Sequence, residues 1–316
     1  MKVLANDGLA QSGVTALENA GFEVLLNTVA QEQLENYINE NSIDVILVRS
    51  ATQVRQELID ACPSLKIIGR GGVGMDNIDV QYAKDKGLHV INTPAASSHS
   101  VGELVFAHLF GLVRFLQDAN RNMPLEGETK FKALKKNYAK GVELKGQTLG
   151  VIGFGRIGQA TAKIALGLGM KVMAFDPFFE KVDLDLEFFD GQKLTFSIDT
   201  VSKEEVLKNA DFVTLHVPAQ KDYVIGEPEL KMMKNSAILL NAARGGVIDE
   251  VALLEALEAG EIAKAGLDVF ENEPKPDMKV LMNPNISLTP HIGAATLEAQ
   301  DRIGTELADQ IISILK

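Results

Sequence analysis

Short runs dominated by Val, Ile and Leu recur from the start of the chain, at Lys2 to Ala5, Phe22 to Leu26, Asp44 to Val48, Lys66 to Ile68 and Leu88 to Ile91. Segments with apolar residues at helical spacing lie between them, and this alternation predicts βαβ units around a parallel sheet. The rhythm breaks where Val101, Leu104, Val105, Leu109, Leu112, Val113 and Leu116 recur at spacings of three and four, the stripe of one long helix. Ser100 and Glu103 have the spacing of a capping box at its start. A polar stretch follows from Glu126 to Gly146. At Leu149 the order strand, glycine turn, helix resumes and continues to about Asp268. The stretch from Thr296 to Leu315 predicts a closing amphipathic helix with Ile303, Leu307, Ile311 and Ile314 on one face.

Two stretches in this pattern match G-x-G-x-x-G, and their flanks separate them. Gly69, Gly71 and Gly74 follow a predicted strand, but Asp76, Asn77 and Asp79 come next and no acidic residue ends a following strand. Gly153, Gly155 and Gly158 leave an apolar strand and enter a helix with Ile157, Ala160, Ile164 and Leu168 on one face; the strand KVMAF and Asp176 follow. In that setting glycines let the backbone turn tightly against a pyrophosphate, the helix N-terminus offers unpaired N–H groups, and a carboxylate about 20 residues on accepts from ribose hydroxyls. The second cluster therefore predicts dinucleotide binding. Asp176 would repel a 2′-phosphate, favouring NAD over NADP, and Arg156 inside the turn is placed for the pyrophosphate or for solvent.

Length and composition narrow the rest. At 316 residues the chain has room for about two domains. The formal net charge of −12 argues against general affinity for nucleic acid or an anionic membrane. A hydrophobic share of 46% with 23% charged residues is ordinary for a folded soluble protein. The single cysteine, Cys62, excludes an intrachain disulfide; the opening MKVLANDGLA lacks the layout of a secretory signal, and no apolar run reaches bilayer length. A cytoplasmic setting is expected. No His, Cys and Asp set has metal-ligand spacing.

Three polar residues sit after predicted strands of the second half: Arg244 in LLNAARGGVIDE, Glu273 in GLDVFENEP and His291 in LTPHIGAAT. Open α/β sheets bind ligands at the carboxyl ends of their strands, so the three could share one cleft. Their types suit hydride chemistry on a 2-hydroxy acid: an imidazole takes the hydroxyl proton, a carboxylate orients it, and a guanidinium holds the carboxylate or polarises the carbonyl. Taken singly, each also fits a plainer role, as a surface ion pair, a solvated loop glutamate and a structural histidine.

The motifs GRGGVGMDNID, NTP at Asn92 to Pro94, VIGFGRIG, HVP at His216 to Pro218, NAARGGVIDE, GLDVFENEP and TPHIGAAT, in that order, resemble the D-2-hydroxyacid dehydrogenase family, most of all its D-3-phosphoglycerate dehydrogenase branch, over almost the whole chain. The resemblance implies an α/β fold of two doubly wound, Rossmann-like parallel-sheet domains. Residues 1–95 and 287–316 would form a discontinuous, flavodoxin-like substrate domain around an NAD domain at 96–286, joined by the helix after Ser98, and closure of the cleft would exclude water from hydride transfer. It implies Arg244, Glu273 and His291 as catalytic residues, with His291 the acid/base and Glu273 its partner. It implies NAD contacts from Gly153, Gly155, Arg156, Ile157, Gly158, Asp176, Val217, Ala242, Ala243, Asp268, Gly293 and Ala294, several through backbone atoms. A homodimer is expected on the same ground.

A phosphorylated substrate needs cations, and Arg49, followed by Ser50, and Arg70 stand at predicted strand ends, where the phosphoglycerate branch meets its substrate. The backbone N–H groups of Gly71, Gly72 and Val73 would suit a carboxylate. Lys135, Lys136 and Lys140 add charge or form a solvated face. These features point to oxidation of D-3-phosphoglycerate to 3-phosphohydroxypyruvate, the opening step of serine biosynthesis. The alternatives are a glyoxylate or hydroxypyruvate reductase and an NAD-sensing protein like the corepressors built on this scaffold. The segment KDYVIG at Lys221 to Gly226 departs from the threonine-rich form of many relatives, and no regulatory domain is expected after residue 316. His89, His99, His108, His216 and Cys62 have structural readings.

Overall fold

The structure is a computed structural model that describes residues 1–316. Its contacts divide the chain into two compact units, Met1–Ser100 with Ala294–Lys316, and Val101–Gly293. Both are α/β, each with a parallel sheet.

In the first unit β1 (Lys2–Ala5), β2 (Glu23–Leu25), β3 (Val45–Val48), β4 (Ile67–Arg70) and β5 (His89–Asn92) form a sheet in the order β2-β1-β3-β4-β5. Every pairing is parallel. Burial on both faces explains why these strands read as unbroken apolar runs. Val3, Ala5, Val45 and Leu47 pack with Ile303, Leu307 and Ile311 of the closing helix on one face. Leu4, Ile46 and Val48 pack with Leu34, Ile38 and Ile59 on the other. The closing helix, Leu297–Leu315, starts where its period predicts, with the Thr296 side chain capping the Ala299 N–H.

In the second unit β6 (Thr148–Ile152), β7 (Lys171–Phe175), β10 (Phe212–Leu215), β11 (Ile238–Asn241), β12 (Lys264–Leu267) and β13 (Ile286–Leu288) pair in parallel in the order β13-β12-β11-β10-β6-β7. β8 (Lys181–Glu187) and β9 (Lys193–Asp199) form an antiparallel hairpin beside β7, reached through a bridge from Ala174 to Thr200. The chain runs outward from β6 to β7 and returns to start the other half at β10. The switch point where ligands bind therefore lies between β6 and β10.

Four expectations change. The second domain boundary falls after Gly293, not before 287, because β13 pairs with β12 and takes the His291 loop with it. The first falls after Ser100 rather than at 95. Ser100 does not cap its helix: the helix Ser98–Val113 has already begun, and the Ser100 hydroxyl lies 2.8 Å from that of Thr296. The polar stretch from Glu126 is helical to Asn137, part of a helix Leu116–Asn137 that contains Pro124 and is bent 53° from the one before it. No single helix is long and apolar enough to cross a membrane.

Candidate active site

β6 runs straight into the second glycine turn. Gly153 has φ +91°, its N–H donates to the Phe175 carbonyl, and a Cβ there would meet the His216 carbonyl oxygen at 2.6 Å. Gly158, in the first turn of the helix Arg156–Gly167, packs so closely that a Cβ would lie 2.2 Å from the Gly153 carbonyl oxygen. Gly155 is different. It is the residue before the helix, and a Cβ there would meet nothing within 4 Å. The turn is thus closed against protein at Gly153 and Gly158 and open at Gly155, at a helix N-terminus whose first N–H groups have no intrahelical acceptor. Arg156 is exposed at the first helical position, with Ile157 half-buried beside it. Val217 flanks the turn: its Cγ1 lies 3.1 Å from a Cβ built on Gly153. Asp176, directly after β7, accepts the Phe154 N–H at 2.6 Å and the Phe178 N–H at 2.9 Å, one on each carboxylate oxygen. It is thereby fixed against the glycine turn with a second lone pair left on each oxygen.

The loops after β11, β12 and β13 carry the three polar residues. Asn241 ends β11, buried; its Oδ1 accepts from the Ala243 N–H at 3.0 Å and its Nδ2 donates to the Arg244 carbonyl at 2.9 Å, which shapes the Ala242–Arg244 turn. Glu273 accepts the Phe270 N–H on Oε1 at 3.0 Å, and Oε2 lies 2.8 Å from His291 Nδ1. Burial raises the Glu273 pKa, but the His291 hydrogen bond, its charge, the Phe270 N–H and the Arg244 charge outweigh it and hold the carboxyl below its ordinary value. With Nδ1 occupied by a carboxylate, Nε2 of His291 is the nitrogen left for chemistry. His291 has φ +55°, a conformation that L residues rarely adopt and that clusters at functional sites. Its N–H donates to the Asp268 carbonyl at 2.8 Å. Asp268 itself, 1% exposed, accepts from the Ile292 N–H, the Gly293 N–H and the Thr289 hydroxyl. The structure thus gives Asp268 a task the motif did not show, as the anchor of the His291 loop. Ala294 begins the next stretch of the first unit.

This arrangement has known counterparts. Residues 106–293 match the model of the D-isomer specific 2-hydroxyacid dehydrogenase NAD-binding domain. The chain is 43% identical to a hydroxypyruvate reductase from Thermotoga maritima over 99% of this chain and 98% of the relative. It is 42% identical to a D-3-phosphoglycerate dehydrogenase from Methanocaldococcus jannaschii, matching along its whole length but spanning only 58% of that protein. The chain belongs to the D-isomer specific 2-hydroxyacid dehydrogenases. Its fold is shared with a D-lactate dehydrogenase from Aquifex aeolicus solved with NAD and lactic acid, at TM-score 0.75 and 30% identity over 100% of this chain and 95% of the other.

The cofactor of this dehydrogenase is NAD, and the turn fits it: a pyrophosphate needs the open backbone that Gly155 leaves at the helix N-terminus. The first unit of the dehydrogenase carries the two predicted cations at neighbouring strand ends. β3 and β4 pair with Val48 opposite Arg70, so Arg49 and Arg70 leave adjacent strand ends. Burial lowers the Arg49 pKa and Asp7 opposes that shift; the Arg49 N–H donates to Asp7 at 2.6 Å, while Ser50 beside it is exposed. Asn77, to which the sequence assigns no role in the site, ties both arginine segments together: Oδ1 accepts from Arg70 Nε at 3.1 Å, and Nδ2 donates to the carbonyls of Arg49 and Thr52 at 2.7 and 2.6 Å. One expectation fails here. The N–H groups of Gly71 and Gly72 already donate, to the carbonyls of Val48 and Arg70, the first continuing the β3–β4 ladder and the second closing a tight turn on the end of β4; of the three, Val73 alone has no backbone acceptor.

Proposed function

We propose that this dehydrogenase interconverts D-3-phosphoglycerate and 3-phosphohydroxypyruvate, the reaction that opens serine biosynthesis. The observation that supports the substrate assignment is that Arg49 and Arg70 leave adjacent strand ends, with Asn77 accepting from the Arg70 guanidinium and donating to the Arg49 carbonyl, in a protein of net charge −12. Two arginines on neighbouring strand ends suit a phosphate, which offers several acceptor oxygens to the guanidinium fork. NAD, when bound, takes the hydride from the substrate C2 or returns it. Gly155, Arg156 and the helix N-terminus would hold its pyrophosphate, and Asp176 would accept from the adenosine ribose and repel a 2′-phosphate.

In the oxidative direction His291 Nε2 removes the C2 hydroxyl proton, and Glu273 keeps the opposite nitrogen protonated and stabilises the imidazolium that forms. Arg244 binds the carboxylate and polarises the emerging carbonyl. In reduction the same imidazolium delivers the proton to the carbonyl oxygen. His291→Ala is expected to abolish turnover while NADH still binds with its parental affinity. Loss of both would remove His291 from this role.

A second reading is favoured by the Thermotoga maritima relative, which matches this chain over the length of both and is named a hydroxypyruvate reductase. NADH oxidation with 3-phosphohydroxypyruvate, hydroxypyruvate, glyoxylate and pyruvate at matched concentrations separates the two. A kcat/KM preference for the phosphorylated acid, lost when Arg49 and Arg70 are both replaced by Gln, supports the phosphate site. A preference for hydroxypyruvate that survives the double replacement overturns it.

A further inference from the structure

His108 lies in the helix Ser98–Val113 and is 4% exposed. Its Nδ1 is 2.5 Å from the Ser287 hydroxyl and its Nε2 is 2.9 Å from the Thr289 hydroxyl. The Thr289 hydroxyl lies 2.6 Å from Asp268 Oδ1, the carboxylate that accepts the Ile292 and Gly293 N–H groups. At the other end, Gln117 Nε2 donates to Ser287 Oγ. Five side chains therefore form an unbroken line from a helix edge to the loop that carries His291.

The protons in this line have one consistent arrangement. The amide of Gln117 can only donate from its nitrogen, and ionised Asp268 can only accept. Thr289 has a single proton and gives it to Asp268, so its oxygen accepts from His108 Nε2–H. Nδ1 of the neutral ring then accepts, and the Ser287 hydroxyl donates to it while accepting from Gln117. Every hydroxyl donates once and accepts once, and all bonds point toward the carboxylate. Such chains polarise one another in a low-dielectric interior. Burial supports the neutral ring by lowering the His108 pKa, against the opposing charge of Asp268.

We propose that His108 is a positioning residue: acting through Thr289 and Asp268, it holds the Ile292 and Gly293 amides in place and so fixes the backbone of His291, which stands at φ +55°, in its working orientation. The inference rests on His291 being the acid/base. The side chains of Thr289 and His108 bond to one another, to Ser287 and to Asp268, so a change at either acts on the loop through Asp268.

Steady-state kinetics with 3-phosphohydroxypyruvate and hydroxypyruvate, alongside NADH titration by fluorescence, test it. Thr289→Val keeps the volume and breaks the line; kcat is expected to fall about tenfold to a hundredfold, as for other small displacements of a reacting group, while the NADH Kd stays close to parental. Thr289→Ser keeps the hydroxyl and restores kcat. His108→Leu lowers kcat to the same degree, and the double variant is no worse than either single one, since both cut the same line. If His108→Leu fails to fold, the Thr289→Val and Thr289→Ser pair decides by itself. A Thr289→Val enzyme with parental kcat, beside an inactive His291→Ala, overturns the positioning role alone. A fully active His291→Ala removes the reading beneath it.

Discussion

The segments GRGGVG and GFGRIG share one pattern and have opposite structural uses. In the first, Gly69 lies inside β4, where a Cβ would press on Leu47 Cδ2 at 2.5 Å, and the next helix does not begin until Val80. Its glycines let strands pack and let Arg70 fold over Gly72, where a Cβ would lie 2.7 Å from the guanidinium. In the second, the strand ends at Ile152 and the helix begins at Arg156, so the turn delivers a helix N-terminus to open space. A glycine pattern alone therefore specifies close approach of backbone; the element that follows decides whether the approach is to protein or to a phosphate.

Substitutions in and around the two clusters sharpen this contrast. The largest effect is expected for Gly158→Ala, whose Cβ meets the Gly153 carbonyl oxygen at 2.2 Å, backbone that cannot swing aside. About 3 kcal/mol of stability should be lost, read from urea unfolding, and NADH binding with it. Gly69→Ala meets only the ends of Leu47 and Ile91 side chains, so about 1–2 kcal/mol is expected with NADH affinity unchanged. If Gly69→Ala weakened NADH binding and Gly158→Ala did not, the two clusters would have to exchange roles.

Asn77→Ala probes the first cluster from behind. Removing the amide that ties Arg49 to Arg70 should raise KM for 3-phosphohydroxypyruvate about tenfold, ~1.4 kcal/mol, without moving the NADH Kd. Gly155→Ala is the reverse case. Its Cβ enters open space, so stability should change by less than about 0.5 kcal/mol while NADH binds about tenfold more weakly. Equal loss of stability at Gly155 and Gly158 would show that the open face does not exist in solution.

The smallest effect concerns pH and belongs to the second region only. His216 adjoins Gly153, its Nδ1 is buried without a partner, and burial drives its pKa from 6.5 to about 3. The unfolded chain gains a proton near pH 6.5 that the folded ring refuses until about pH 3. Stability therefore falls as pH drops through that window, by about 0.7 kcal/mol between pH 7 and 6. The urea midpoint of the parent should fall relative to that of His216→Phe between pH 7 and pH 6 if this ring is the cause.

Much of this was legible in advance because local pattern and burial agree. All five strands of the first sheet lie within a residue or two of their apolar runs, since strands buried on both faces have no polar positions to blur them. The hairpin β8 and β9 was missed because it replaces an expected helical crossover. The helix through Pro124 was missed because its polar composition reads as a connection. His108, one residue in an apolar stripe, reads as an ordinary core histidine because its partners Ser287 and Thr289 lie 179 and 181 positions away.

The sequence by itself determined the alternation that builds two parallel sheets, because that is written in residues close together in the chain, and it singled out the second glycine cluster by its flanks and Arg244, Glu273 and His291 as candidates through motifs in a fixed order. Only the tertiary structure decided that His291 meets Glu273 at 2.8 Å, that Asn77 binds both arginine segments, and that Gly71 and Gly72 spend their N–H groups inside the protein. The physical reason is that a hydrogen bond is set by directions and distances of a few ångströms, and for groups from different strands those come from sheet register and loop packing, which no local run of residues encodes.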